Sequence, residues 1–434
     1  MNESLVLRNL LLREVVPTTG CTEIGAVALA AGWAVRALTS QDDGFEEIQV
    51  EVDENTYKNG LGVGVPGTGE SGLALAAAMG AHSSRRVDKG LQILENPDAE
   101  TIKKARVAVS VQKVQVIRAP RVKGIWIEAR VRNGLDEATA IIEGSHDHLV
   151  KVNKNGVPYE GAPASDDNLW EQTKQIKALK YREFIEFVER TDLGDLPILE
   201  QAMDMNMHFV KEALRRFPSL KIGGVIRKYM GKGETGEGLS GKIQFVTASA
   251  VEARMKGFDL PVMACGGSGN QGLVATIPVV ETARRMGASK EQTLRALALS
   301  YLTTIYIKAY TGLLSPICGC GVAAAVGAGC GIVFLLGGGA QQIEAQINNM
   351  VGAMAGIICD GAKSGCSLKA LMAVGLAVDS SYLSMENIQI PARDGIMGMN
   401  VMETLQNLQK IIETGMPSMD TAIVDVMEGK KTVQ

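Results

Sequence analysis

The chain has 434 residues, 44 basic and 48 acidic side chains, a formal net charge of −4, and 46% hydrophobic but only 4% aromatic residues. That length predicts two or three domains, and the hydrophobic content excludes a disordered chain. Charges of both signs are interspersed, so there is no basic block with which to read nucleic acid.

The first stretch, MNESLVLRNLLLREVV, carries Glu3, Arg8, Arg13 and Glu14. It predicts an amphipathic helix and not a signal peptide, and a cytoplasmic location is expected. A loop, PTTGCTE, and an apolar helix, IGAVALAAGWAVRAL, follow. Residues 1–44 are expected to pack on a helical domain further along the chain. Residues 46–53 alternate as a strand does. A glycine-rich loop covers Tyr57–Gly72, and a small-residue helix spans about 72–81. ARVAVSVQKV and IWIEARVRNG then read as strands, and TAIIEGSHDHLVKVNKNG as a strand and a turn. Residues 45–160 therefore predict an α+β domain with an antiparallel sheet. A polar crossing, NGVPYEGAPASDDN, leads to helical periodicity through the rest of the chain, so residues 161–434 predict a large all-helical domain.

From Ala309 to Ile343 there are 35 residues without a charge. That is long enough to cross a bilayer. Pro316, many glycines and the absence of basic or aromatic flanks favour a buried helical hairpin, and no membrane is expected as a partner.

Seven cysteines lie at 21, 265, 318, 320, 330, 359 and 366. Without an export signal, clustered cysteines signify packing, metal or catalysis rather than a disulfide framework. Three thiolates from Cys318, Cys359 and Cys366 would leave one iron of an iron–sulfur cluster open. Their spacings of 41 and 7 residues do not match a ferredoxin. Structural thiols, or a zinc or redox role, stay open on this ground alone. Two glycine-rich loops, Cys265–Pro278 and Lys58–Gly69, expose backbone amides but lack the ending of a phosphate-binding loop. Cys21 stands at a helix start, where the thiolate is favoured.

Taken in order, PTTGCTE, KNGLGVGVPGTG, GLSGK, GGSGNQGLVATIP, LSPIC and IICDGAKSGC resemble the anaerobic L-cysteine desulfidase family, relatives of the iron–sulfur L-serine dehydratases. The resemblance covers roughly residues 10–430. It implies an α+β domain beside a helical domain similar to that of the serine dehydratases, with a [4Fe–4S] cluster on Cys318, Cys359 and Cys366. Cys320 competes for the first position; Cys265, Cys320 and Cys330 are expected to be structural. Cys21 is the family's loop thiol, either capping the fourth iron or handling protons or sulfur. Ile24 stands where the family often has proline. The chain ends GKKTVQ, without the C-terminal cysteine of some serine dehydratases, which argues against serine dehydratase itself.

The expected reaction is elimination of sulfide from L-cysteine, giving ammonia and pyruvate. L-Serine dehydration on the same cluster and a non-catalytic metal- or redox-sensing protein are the alternatives. Thr19, Lys58, Asn59, Arg254, Ser268, Asn270 and Gln271 are candidates to bind the substrate's carboxylate and ammonium. Cys21 is the first candidate for the base, ahead of Lys363 and His146, with Asp360 and Lys363 supporting the cluster. A homodimer is expected.

Overall fold

The computed structural model describes residues 3–39, 45–119, 122, 124–163, 173–216, 220–234, 236 and 238–430. Residues 164–168 of the polar crossing and the chain end at 431–434 lie outside these residues.

The first half begins with α1 (Glu3–Glu14), β1 (Pro17–Thr19) and α2 (Thr22–Leu38). Next come β2 (Glu47–Val52), α3 (Glu54–Gly60), α4 (Leu73–Ala81), α5 (Ala99–Ser110), β3 (Val114–Arg118), β4 (Trp126–Asn133), β5 (Asp136–Glu143), β6 (Leu149–Lys154) and β7 (Val157–Pro158). Strands β2 to β7 form one sheet in the order β3-β2-β4-β5-β6-β7. The sheet is not wholly antiparallel as expected, because β2 and β3 run parallel. The helices between them supply the long crossover that a parallel pair requires. Alternate residues Ile48, Val50 and Val52, with Ile127, Ala129 and Val131, are buried. Helix α2 packs on β4 and β5 on one side and on α4 on the other, so every residue of α2 but Arg36 is buried.

Two readings of local structure are corrected here. The segment 105–110, read as a strand, is the end of α5. Asp98 caps that helix by accepting from the Thr101 amide, and Val107 and Val111 face solvent, four residues apart. The glycine-rich loop also begins inside α3, whose cap is Asp53. Asp53 is buried and accepts from the amides of Asn55, Thr56 and Trp126 and from the Thr56 hydroxyl, at 2.6 to 3.0 Å. Asp53→Ala removes a cap and leaves several buried donors unpaired. It is expected to cost about 2–4 kcal/mol in a urea titration; a loss under ~1 kcal/mol would contradict this role.

The second half is helical. It comprises α6 (Tyr181–Arg190), α7 (Pro197–Arg216), α8 (Lys221–Met230), α9 (Leu239–Met255), β8 (Pro261–Met263), α10 (Gly269–Met286) and α11 (Lys290–Thr311). A π-turn at Cys320–Ala324 leads into α12 (Ala325–Leu335), followed by α13 (Ala340–Met354), α14 (Gly365–Met385), α15 (Val401–Lys410) and α16 (Met419–Gly429). Helix α10 is buried from Gly269 to Ala283 and α11 from Ala296 to Thr311. The uncharged stretch is the end of α11, a loop and α12, and α11 packs against α12. Among the described residues, only α14 is long and apolar enough to cross a membrane, and half of that window is buried.

Against the expectation that residues 1–44 pack on the helical part, residues 3–39 do not form one unit there. Helix α1 packs against α6 and α11, and β1 pairs antiparallel with β8. Helix α2, in contrast, belongs to the sheet layer. The chain crosses between the layers at PTTGCTE. Helix α16 crosses back, packing on α3 of the sheet layer.

Candidate functional site

Four segments meet where β1 pairs with β8. First, Cys21 caps the start of α2 with an extended backbone and no side-chain cap bond. Its Sγ instead donates to Glu23 Oε2 at 2.8 Å. Second, the loop after β8 turns through Gly266 and Gly267 into α10. Gly272 lets that helix start flush against β8, since a Cβ there would lie 1.8 Å from Met263 O.

The third and fourth segments carry the cysteines. Ile317 and Ile358 form an antiparallel bridge, flanked by the Cys318 amide on Ile357 O and the Cys359 amide on Pro316 O, both at 2.7 Å. This pairing puts residues 41 apart in sequence side by side. Gly361, at φ +94°, then turns the chain close under α3, where a Cβ would meet Lys58 O at 2.6 Å. Cys366 follows in the first turn of α14, its amide on Lys363 O.

Cys21, Cys318, Cys320, Cys359 and Cys366 all line one cavity of about 80 Å³, together with Glu23, Asn59, Ser268, Asn270, Gln271 and Lys308. Cys320 therefore stands at the cavity and not in the structural set. Cys265 and Cys330 are buried elsewhere, facing the carbonyls of Tyr301 and Ile343. The Cys318 thiol is drawn down to about 6, chiefly by the hydrogen bond from Cys320, then by the Gly321 amide and Lys369. The Cys320 thiol rises correspondingly. Burial pushes Cys359 up, and Cys366 up to about 12.

Among the described residues, no three His, Cys, Asp or Glu side chains converge as a single ion requires. A zinc ion with bonds of ~2.3 Å needs its sulfurs within about 4 Å of one another. Cluster thiolates need not converge so tightly, because each binds a different iron. Several soft thiols spread around one cavity fit an iron–sulfur cluster better than a single zinc ion.

The other predicted residues divide. Asn59 donates to Glu23 Oε1 at 2.6 Å, and its Oδ1 has no partner. Gln271 Oε1 is likewise buried without a partner. Asn270 is held by Arg254, whose other amine donates to Gly20 O, so Arg254 is spent on fixing the two loops and does not line the cavity. Thr19 is buried in β1, outside the cavity lining, with an unpaired hydroxyl. Lys58 does not line the cavity: its Nζ is committed to Asp420 of α16 at 2.5 Å and Asn55 at 3.0 Å, and its charge opposes the rise that burial imposes on the Cys359 thiol. Lys58→Ala is expected to lower the melting temperature while leaving ligand affinity within about threefold, because it breaks a largely buried ion pair whose members do not line the cavity. A selective loss of affinity at unchanged stability would restore Lys58 to the site.

Lys363 pairs with Asp360 at 3.1 Å outside the cavity lining and is removed as a base. Asp360 also binds Lys369, which donates to Ile358 O at 2.8 Å, so this network braces the cysteine turn. His146, on the turn between β5 and β6, is buried with both ring nitrogens unpartnered and Nε2 3.9 Å from Glu23 Oε1.

Two residues at the cavity were assigned no role from sequence. Glu23 gathers Cys21, Thr22 and Asn59 as donors. Burial alone would raise its pKa, but His146, Cys21 and Asn59 hold it below the usual value. Burial and then the Glu23 charge drive the Cys21 thiol well upward, so the shared proton rests on sulfur. Lys308 is buried in α11, and burial draws its pKa down to about 8. It is the only charged residue between Arg295 and Glu344, which is a signal the sequence did carry.

The family model of the serine dehydratase alpha chain matches residues 88–425. The chain belongs to that family. It is also similar along almost its whole length to UPF0597 proteins. That of Caldanaerobacter subterraneus subsp. tengcongensis is 37% identical over 429 residues, covering 98% of this chain and 99% of the relative. That of Oleidesulfovibrio alaskensis is 38% identical, covering 98% and 97%. That of Photobacterium profundum is 36% identical, covering 96% and 97%. The serine dehydratase match contains every cavity cysteine except Cys21, which lies with Glu23 and Asn59 in the part before residue 88.

Proposed function

We propose that this member of the serine dehydratase family is an L-cysteine desulfidase, which eliminates sulfide from L-cysteine and yields ammonia and pyruvate. The observation that carries the reading is the meeting of Cys21 with Cys318, Cys359 and Cys366 at one cavity. Cys318, Cys359 and Cys366 would hold a [4Fe–4S] cluster. When bound, the cluster supplies an open, thiophilic iron that acts as a Lewis acid toward the substrate's sulfur, with no net redox change.

The chain's own residues do the rest. The Cys21–Glu23 pair holds one mobile proton at Sγ. Passing it to Glu23 Oε2 leaves a thiolate at the cavity, which accepts the proton from the substrate's Cα. The electrons of that C–H bond form the Cα–Cβ double bond, and the Cβ–S pair leaves with sulfide. The released enamine tautomerises to an imine, and water converts it to pyruvate and ammonia. Burial of Cys21 and Glu23 keeps bulk water from the pair while the proton moves.

Dehydration of L-serine is the second reading, favoured by the family match itself. One assay separates the two: sulfide and pyruvate release from L-cysteine and L-serine by protein reconstituted anaerobically with iron and sulfide. Sulfide in step with pyruvate supports the desulfidase. Pyruvate from serine alone supports the dehydratase. No product from either, at full iron content, would leave a metal-binding or sensing role in place of catalysis.

A further inference from the structure

Lys308 is 2% exposed, yet among the described residues it forms no ion pair, and the carboxylate that acts on it, Glu23 across the same cavity, does so from beyond ion-pair distance. Its ammonium has three N–H donors, and its one hydrogen-bond acceptor is Leu313 O at 2.8 Å. An unpaired buried cation is strongly unfavourable and calls for a counter-charge. The lysine stem packs on the loop that opens α10, since a Cβ on Gly266 would sit 3.2 Å from Lys308 Cγ. That loop ends at Ser268, which caps no amide with its side chain. The first-turn amides of Gly269, Asn270 and Gln271 therefore have no helical acceptor, and they lie at the positive end of an 18-residue helix. Lys308, Ser268, Asn270 and Gln271 line the same cavity as the thiols.

We infer that Lys308 and the amides at the start of α10 form the subsite that binds the substrate's α-carboxylate, an assignment that rests on the elimination reading above. The zwitterion's ammonium then meets acceptors already in place, the unpartnered amide oxygens Gln271 Oε1 and Asn59 Oδ1. The substrate is thus oriented by groups from both layers, with its sulfur free to face the cysteines. The competing role for Lys308 is to balance the charge of the thiolates, which also act on it.

The test is binding, not turnover. Titration calorimetry on anaerobic holoprotein compares 3-mercaptopropionate, which has a thiol and a carboxylate, with cysteamine, which has a thiol and an amine. Lys308→Met is expected to weaken 3-mercaptopropionate by about 30-fold or more, while cysteamine changes by less than about threefold. Equal weakening of both ligands with loss of iron would mean that Lys308 serves the cluster, and no change in either would mean that it serves neither; both results overturn the subsite. Should the variant not fold, the unmodified protein decides: 3-mercaptopropionate must bind more tightly than its neutral amide, and equal affinities refute the anchor. Failure of the elimination reading is seen separately, as absence of sulfide from L-cysteine with the unmodified holoprotein.

Discussion

Cys359→Ala, in anaerobically reconstituted protein, is expected to lose most of its bound iron and the absorbance near 400 nm, and with them sulfide release from L-cysteine. The reason is geometric. The Ile317–Ile358 bridge sets Cys359 beside Cys318, and Cys366 follows one short turn later. Removing the middle thiol leaves two of the three assigned ligands, and Asp360 beside it cannot take its place because it is already committed to Lys363 and Lys369. Lewis-acid assistance is worth several kcal/mol, so its loss corresponds to a fall in kcat of about 10³-fold or more at ~1.36 kcal/mol per decade. Cys265→Ala and Cys330→Ala are the controls. Both thiols are fully buried away from the cavity, so these variants should retain iron and lose only stability, by about 1 kcal/mol or somewhat more. Cys318→Ala against Cys320→Ala settles the paired position: iron should be lost in the first and kept in the second. A Cys359→Ala protein that keeps its full iron content would remove the assigned ligand set.

That Cys21, Cys318, Cys359 and Cys366 stand out was legible because thiols are rare in this chain and fall in short, glycine-rich turns, whereas the place of Cys320 at the same cavity was not. What the sequence could not show is why residues 41 apart become neighbours, because a single bridge between two isoleucines does that work. Lys58 and Arg254 looked equally suited to bind a carboxylate. Their fates depend on partners from remote segments: Asp420 from α16 for Lys58, and Gly20 and Asn270 for Arg254. Such pairings are tertiary facts with no local signature. Lys308 is the opposite case. A lone cation in a long apolar helix is conspicuous, but the surrounding residues direct attention to burial rather than to what the charge must meet. The end of α5 was misread because Val107, Val109 and Val111 alternate like strand residues; the Asp98 cap and the buried Ala105 and Ala108, three apart, carry the helical signal. The α+β layer beside a large helical part followed more directly, from the change of period along the chain.

Glu23→Gln is expected to lower kcat by about 10²–10⁴-fold while KM for L-cysteine stays within about threefold. The carboxylate is ionised and buried, and three donors converge on it. A glutamine in its place keeps the volume but offers one oxygen and two N–H donors, so either Cys21 or Asn59 must face a donor instead of an acceptor. The folded protein should feel this as roughly 1–3 kcal/mol, too little by itself to account for the loss of rate. Glu23 acts through Cys21 and is a positioning residue, so the decisive readout is coupling. If the pair shares one proton in turnover, Cys21→Ser, Glu23→Gln and the double variant should lose similar amounts of kcat, because groups that act as a unit are not additive. Glu23→Asp, which restores the charge on a shorter arm, should recover part of the rate. Two single losses that simply multiply in the double variant would mean that Cys21 and Glu23 contribute separately, and the proton would then have to move through another group at the cavity, with His146 beside Glu23 the next to replace.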